Sequence, residues 1–161
     1  MIFVTIGTQE PFDRLIRAVD SIAVDFAEHK FIAQTSENGF RATNMETLSF
    51  VPPSEFKRLF TQSSFVISHA GMGTIISALQ IKKPLIVMPR LARLGEHRNE
   101  HQIATARKME ALGYIYVANN AIELKQHMDH LIHHKFPEPL HQLGSYASEE
   151  LLASISDFIN E

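Results

Sequence analysis

A glycine-rich loop is one of two segments whose residue types suit binding chemistry. Gly71, Gly73 and Thr74 lie where a short apolar run changes into helical periodicity. Such a strand-to-helix junction exposes unpaired backbone N–H groups at the positive end of the helix dipole, which attracts phosphate or diphosphate. The loop therefore predicts an anion-binding site, with a tight turn that holds no ligand as the alternative.

A dinucleotide fingerprint fits this loop poorly. After Gly71 and Gly73, the position of the third glycine is occupied by Ile76, and the strand before the loop is not the first of the chain. The following strand runs into Pro89 and Arg90, whereas a dinucleotide site needs a carboxylate for the ribose. The sequence therefore disfavours NAD.

The second segment, Gly95 to Gln102, is a run of polar side chains with the sequence GEHRNEHQ. It follows a buried apolar run, and its many hydrogen-bonding groups suit the hydroxyls of a sugar. His97 to His101 also matches the H-x-x-E-H pattern of zinc peptidases. That pattern needs both histidines inside one helix, and Gly95 places His97 near the helix start. The alternatives to a sugar-binding segment are therefore a zinc site and a solvated entrance to a helix.

Six strands alternating with helices must position these segments. The predicted strands are 2–6, 31–35, 47–51, 65–68, 85–88 and 114–117. The predicted helices are 11–26, 55–61, 75–80, 99–112 and 121–133, followed by an amphipathic helix at about 140–159. Because several strands are continuous apolar runs, they indicate a parallel sheet with helices on both faces. We predict a Rossmann-like α/β fold, an open parallel sheet of about six strands in a single domain, 1–161.

The carboxyl ends of the strands are where ligands bind in such a fold. The two segments described above lie there, together with a third loop formed by Gly7 and Thr8 after the first strand. Glycine lets a backbone approach a ligand closely, and threonine supplies a hydroxyl, although Gly7 is equally well explained as a turn residue. We expect these three loops to form one site.

Composition narrows the classes of function. The chain has 161 residues, a formal net charge of −3 and no cysteine. These values fit one soluble domain, exclude disulfides and thiolate-ligated zinc, and argue against nucleic acid as a partner. No leader or membrane-spanning stretch is expected, because no window approaches the ~18 apolar residues that a span requires.

Taken together, these motifs resemble a known family over nearly the whole chain. They are FVTIGT (3–8), FV (50–51), SHAGMGT (68–74), KPLIVMPR (83–90) and GEHRNEHQ (95–102). The sequence is similar to the donor-binding half of GT-B glycosyltransferases of the family 28 type. It is most similar to small, separately encoded catalytic subunits: bacterial ones of exopolysaccharide and capsule synthesis, and the eukaryotic one of a dolichol-linked UDP-GlcNAc transferase.

The resemblance implies a UDP-sugar site and no separate cofactor or metal. The backbone at Val51 would recognise uracil, and Glu96 would lie near the sugar. The implied donor-binding residues are Gly7, Thr8, Val51, His69, Ala70, Gly71, Met72, Gly73, Thr74, Asn99, His101 and Gln102. His69 and Glu96 are the candidate catalytic bases, unless the base lies on a partner.

The resemblance also implies an inverting transferase subunit that works with a second protein. A membrane-anchored partner would bind a polyprenyl-diphosphate-linked saccharide as acceptor, and this chain would lie in the cytoplasm, peripherally at the inner face of the membrane. We expect the helix at 140–159 to contribute to the partner contact. Arg90, Arg93 and Arg98 are candidates for pairing with the carboxylate of a uronic acid donor.

One departure from the family favours an alternative function. Many members carry a glutamate for the ribose hydroxyls where this chain has Ser77. A serine has a single oxygen, so it cannot accept from two ribose hydroxyls in the bidentate fashion of a carboxylate. The alternative is a non-catalytic nucleotide-binding or scaffolding subunit of such a complex.

Overall fold

The fold is defined by a computed structural model that describes residues 1–7 and 10–134. The strands are β1 (Ile2–Thr5), β2 (Phe31–Gln34), β3 (Glu46–Leu48), β4 (Val66–His69), β5 (Leu85–Met88) and β6 (Tyr116–Val117). The helices are α1 (Asp13–Ala23), α2 (Pro53–Gln62), α3 (Met72–Gln80), α4 (His101–Ala111) and α5 (Ala121–His133). Thr8 and the helix predicted at 140–159 lie outside the described residues.

The six strands form one parallel sheet in the order β3-β2-β1-β4-β5-β6. Val4 pairs with Ala33 on one side and with Ile67 on the other. From the central pair β1 and β4, the strand order continues through β2 to β3 on one side and through β5 to β6 on the other. The loops that follow β1 and β4 therefore lead away from each other, and a crevice opens between them. The prediction of a Rossmann-like parallel sheet of about six strands is confirmed.

The two faces of the sheet carry separate apolar cores. Alternate strand residues such as Val4 and Ile67 pack under α1 and α5, where Leu15 and Leu124 are fully buried. The intervening strand residues, among them Phe3, pack under α2, α3 and α4. Helices on both faces follow from the period-2 alternation of side chains in strands that are buried on both sides.

Three element boundaries differ from the sequence prediction in ways that affect the site. Helix α3 begins at Met72 instead of at residue 75, so Gly73 lies in its first turn. Helix α4 begins at His101 instead of at residue 99, because the Asn99 side chain accepts the His101 N–H at 3.2 Å in a turn before the helix. Strand β3 ends at Leu48, which leaves Val51 in the loop before two prolines.

The helices in the described part of the chain are short. None of them combines the length and the apolar character needed to cross a membrane.

Candidate functional site

A cavity of about 510 Å³ lies at the crevice between the loops that follow β1 and β4. It is lined by Ile6, Gly7, Glu10, His69, Gly71, Gly73, Thr74, Arg90, His97 and Gln102. All three segments singled out from the sequence contribute to its wall. The site therefore lies at the carboxyl edge of the sheet, where ligands of open α/β folds bind.

The N-terminus of α3 opens into this cavity through Gly73 and Thr74. Its N-cap, Gly71, supplies no side-chain hydrogen bond, and the first turn contains no acidic residue. The first N–H groups of a helix have no partner within the helix. Helix α3 therefore has no carboxylate in its own first turn to occupy its positive end, which suits a diphosphate.

His69 lies between the β1 and β4 loops and packs against a glycine of each. Gly7 has φ +80, and a Cβ there would lie 2.9 Å from the His69 Cε1. A Cβ at Gly71 would overlap the same imidazole ring. These two glycines are therefore required by the close approach of the ring, which gives a physical reason for the residue type at both positions.

Burial is the main cause of the low pKa of His69. Burial first, and then the nearby Arg90 and His97, lower the pKa of His69 to about 4, although a backbone hydrogen bond to Thr5 raises it. The imidazole is neutral at pH 7 and brings no charge to the cavity. It is also a weak general base near neutral pH, because an efficient base has a pKa close to the working pH.

Acid should destabilise the protein partly through His69. The unfolded side chain has a pKa near 6.5 and takes up a proton more readily than the folded one. The stabilisation by neutral His69 is thus present above pH 6.5 and lost as the pH falls towards 4, by about 3 kcal/mol in all. Urea denaturation at pH 7 and 4.5 should show a larger loss in the wild type than in His69→Gln. The same change at the exposed His133 is the control, and equal losses in wild type and His69→Gln would contradict the assignment.

Gln102 connects the glycine-rich loop to the end of β5. It is 8% exposed, and its Oε1 accepts the N–H of Ala70 at 3.2 Å and that of Arg90 at 3.1 Å. The sequence predicted that Gln102 would face a donor sugar, and Gln102 does line the cavity. Because the oxygen is occupied by the two backbone amides, the side-chain NH₂ is the group left to reach a ligand.

Glu96 lies on the β5–α4 loop, and protein groups occupy its carboxylate. Arg14 donates from Nε to Oε1 at 2.7 Å and from Nη2 to Oε2 at 2.9 Å. The Leu91 N–H donates to Oε2 at 2.9 Å. Glu96 is not among the residues that line the cavity. This arrangement fixes the loop and leaves the carboxylate poorly placed to accept a proton from a substrate.

The zinc-peptidase interpretation of His97 to His101 does not fit the geometry. Helix α4 begins at His101, so His97 lies before the helix, and its Nδ1 is 3.2 Å from the Asn99 carbonyl oxygen. Glu100, the base in that pattern, accepts the Ala92 N–H at 3.1 Å. The described residues contain no group of three or more potential metal ligands.

The remaining predicted contacts lie at the edge of the cavity or beyond it. Asn99 is half-buried, and His101 and Met72 are exposed. None of these three side chains lines the cavity. Ala70 is buried behind the wall. Val51 is 7% exposed, with its side chain in the core under α2. The structure therefore does not bring these predicted contacts together in the cavity wall.

Sequence reasoning missed part of the cavity wall. Ile6, Glu10 and His97 line it without having been selected as contacts, and Arg90 was considered only as a partner for a sugar carboxylate. A charged residue directly after a buried strand was the available signal for Arg90. Glu10 gave no such signal.

Comparison with solved structures shows which fold class this architecture defines. A glycotransferase of kitacinnamycin has a TM-score of 0.62, with 16% identity over 83% of this chain and 35% of that chain. The solution structure of ALG13 has a TM-score of 0.57, with 19% identity over 96% of this chain and 93% of that chain. At these identities the likeness establishes the fold alone, which is a GT-B-like α/β fold.

The chain belongs to glycosyltransferase family 28: the model of the family's C-terminal domain matches residues 1–152. A curated relative is the UDP-N-acetylglucosamine transferase subunit ALG13 of Eremothecium gossypii. It is 35% identical over 111 residues, which are 68% of this chain and 52% of the relative. The chain thus spans about half the length of that relative. The resemblance to small catalytic subunits of the family 28 type is confirmed.

Proposed function

We propose that this chain binds a UDP-sugar in the cavity between the β1 and β4 loops and acts as the donor-binding subunit of an inverting glycosyltransferase. The observation that carries the proposal is the N-terminus of α3, which opens into the cavity without a carboxylate in its first turn. Membership of family 28 supports it, as does the name of the relative, a UDP-N-acetylglucosamine transferase subunit.

The diphosphate of the donor would lie against the first turn of α3. Amides near Gly73 and Thr74 would donate to its oxygens, and neutral His69 would add a hydrogen bond without adding charge. The backbone of Val51, which is in a loop and outside the sheet, remains the proposed contact for uracil. Asn99, His101 and the Gln102 side-chain NH₂ remain the proposed contacts for the sugar.

The transfer step needs stabilisation of the leaving UDP. An acceptor hydroxyl oxygen attacks the anomeric carbon as the bond from that carbon to the diphosphate oxygen breaks, so the configuration inverts. Negative charge grows on the diphosphate during this step. The helix dipole and the fixed amides of α3 would stabilise that charge without a metal ion, because they are oriented before the reaction begins.

The proton of the acceptor hydroxyl needs a base, and neither candidate within this chain is well suited. The pKa of His69 is about 4, and the Glu96 carboxylate is occupied by Arg14 and the Leu91 amide. We therefore propose that the base belongs to the partner subunit. That partner would also bind the acceptor, a polyprenyl-diphosphate-linked saccharide. Because the partner would be anchored in the membrane, it would keep this chain at the cytoplasmic face.

Ser77 supports a second candidate, a nucleotide-binding subunit without catalysis. Its Oγ donates to the Gly73 carbonyl oxygen at 2.8 Å, one helical turn back, so the hydroxyl proton is engaged within α3. A serine in this state offers ribose one acceptor at most, where a carboxylate would offer two oxygens. On this alternative the chain binds nucleotide weakly and the partner performs the chemistry.

Calorimetric titration of the purified chain distinguishes a working nucleotide site from a degenerate one. We expect saturable heat with UDP and with at least one UDP-sugar, with CMP as the control nucleotide. Transfer activity should then require the co-expressed partner. Absence of heat at millimolar UDP would refute the donor-site proposal and favour a scaffold.

A further inference from the structure

Arg90 is a buried arginine at the cavity wall, and its hydrogen bonds go to backbone carbonyls. It is 3% exposed. Nη1 donates to the carbonyl oxygens of Pro11 at 2.7 Å and Glu96 at 3.2 Å. Nη2 donates to those of Ile6 at 3.0 Å and Glu10 at 2.7 Å. No carboxylate forms an ion pair with Arg90 within the described part of the chain.

Three of these four carbonyls belong to the loop between β1 and α1. This loop carries Gly7 and Glu10 of the cavity wall, while Arg90 itself follows β5 on the other side of the crevice. The guanidinium also lies 4.6 Å from the centre of the Phe12 ring. A planar group with N–H donors in fixed directions can hold several carbonyls at once, and a lysine ammonium cannot reproduce that pattern.

The orientation of these hydrogen bonds bears on the donor sugar. Both terminal nitrogens donate to protein carbonyls, so they are not available for a bidentate pair with a ligand carboxylate. Arg93 and Arg98, the other two candidates for such a pairing, are exposed and do not line the cavity. The expectation that an arginine favours a uronic acid donor stays a prediction.

We infer that Arg90 is a positioning residue, which ties Ile6, Glu10 and Pro11 of the β1–α1 connection to the end of β5 across the crevice. This inference rests on the proposed UDP-sugar site. Arg90 would affect donor affinity through the shape of the loop, without contacting the sugar. Gly7 and His69, which meet at this loop, would shift if the four carbonyls were released.

Calorimetry on Arg90→Lys tests the positioning role. We expect the Kd for UDP to rise at least tenfold, with the binding stoichiometry unchanged. A residue needed merely for folding would lower the stoichiometry and leave the Kd of the folded fraction unaltered. Arg58→Lys is the matched control, because Arg58 is an exposed arginine on α2 that pairs with Glu55. An unchanged Kd in Arg90→Lys would overturn the inference and leave the proposed function standing.

Arg90→Gln tests the same role if the lysine variant does not fold. Glutamine keeps one donor NH₂ and cannot hold four carbonyls, so the Kd for UDP should again rise at least tenfold. An unchanged Kd would overturn the inference. If the wild type bound no UDP, the proposed function would fail, and the inference with it.

Discussion

A Gly73→Asp variant should keep its fold and lose at least about a hundredfold in affinity for UDP. A Cβ at Gly73 meets no atom within 4 Å, so the new side chain has room. Aspartate in the first turn of a helix is favoured by the dipole, so thermal stability should not fall. The carboxylate would face the diphosphate, and like charges about 4 Å apart repel by about 4 kcal/mol at an effective dielectric of 20.

The control for this change is Gly73→Asn, which has nearly the same shape and no charge. We expect it to bind UDP within a few-fold of the wild type, with circular dichroism and calorimetry measured on all three proteins. Gly71 is unsuitable for the same test, because any Cβ there overlaps His69 and disturbs the loop itself. If Gly73→Asp bound UDP as tightly as Gly73→Asn, the diphosphate would not lie at α3.

Replacing Gln102 with leucine should cause the largest loss of stability among the site variants. The change removes the oxygen shared by the N–H groups of Ala70 and Arg90, which are both buried. Each buried donor left without a partner costs about 1–3 kcal/mol. We expect the free energy of unfolding, measured in urea, to fall by about 2–5 kcal/mol, and UDP affinity to fall with it.

Gln102→Glu separates the two roles of this side chain. A carboxylate keeps an oxygen for the two amides and removes the NH₂ that would reach a ligand. Burial of the new charge costs free energy, which the two hydrogen bonds to the carboxylate partly offset. Stability should therefore fall less than in Gln102→Leu, while affinity for a UDP-sugar falls because the NH₂ is lost and a negative charge is added. Equal destabilisation by leucine and glutamate would show that the shared oxygen does not hold the loops together.

The centre of the sheet could be predicted from local sequence because strands β1, β4 and β5 are buried on both faces. The runs around Val4, Ile67 and Ile86 are mainly apolar without alternation and end at turn residues, which is sufficient to predict parallel strands. Helix boundaries were less accurate. Periodicity alone did not show that α3 includes Gly73. It also did not show that α4 begins only at His101, after a turn in which the Asn99 side chain accepts the His101 N–H.

The hydrogen bonds that shape the cavity could not be predicted in the same way. Arg90 and Ile6 are 84 positions apart, and Arg14 and Glu96 are 82 apart. No local pattern encodes contacts at such separations, because they form only after the strand order has brought the loops together. The glycines of the first turn of α3 were found because a strand-to-helix junction is a local feature.

The most direct test of the donor site is to follow the backbone amide signals of the isotope-labelled protein during titration with UDP. We expect saturable shifts at Gly7, His69, Gly73 and Arg90, all around the same crevice. A second cavity, at the amino-terminal end of β1, is lined by Ile2, His29, Ser64, Phe65, Leu131, Ile132, His133 and His134 and should not respond. Shifts confined to that cavity, or no shifts at millimolar UDP, would contradict the account.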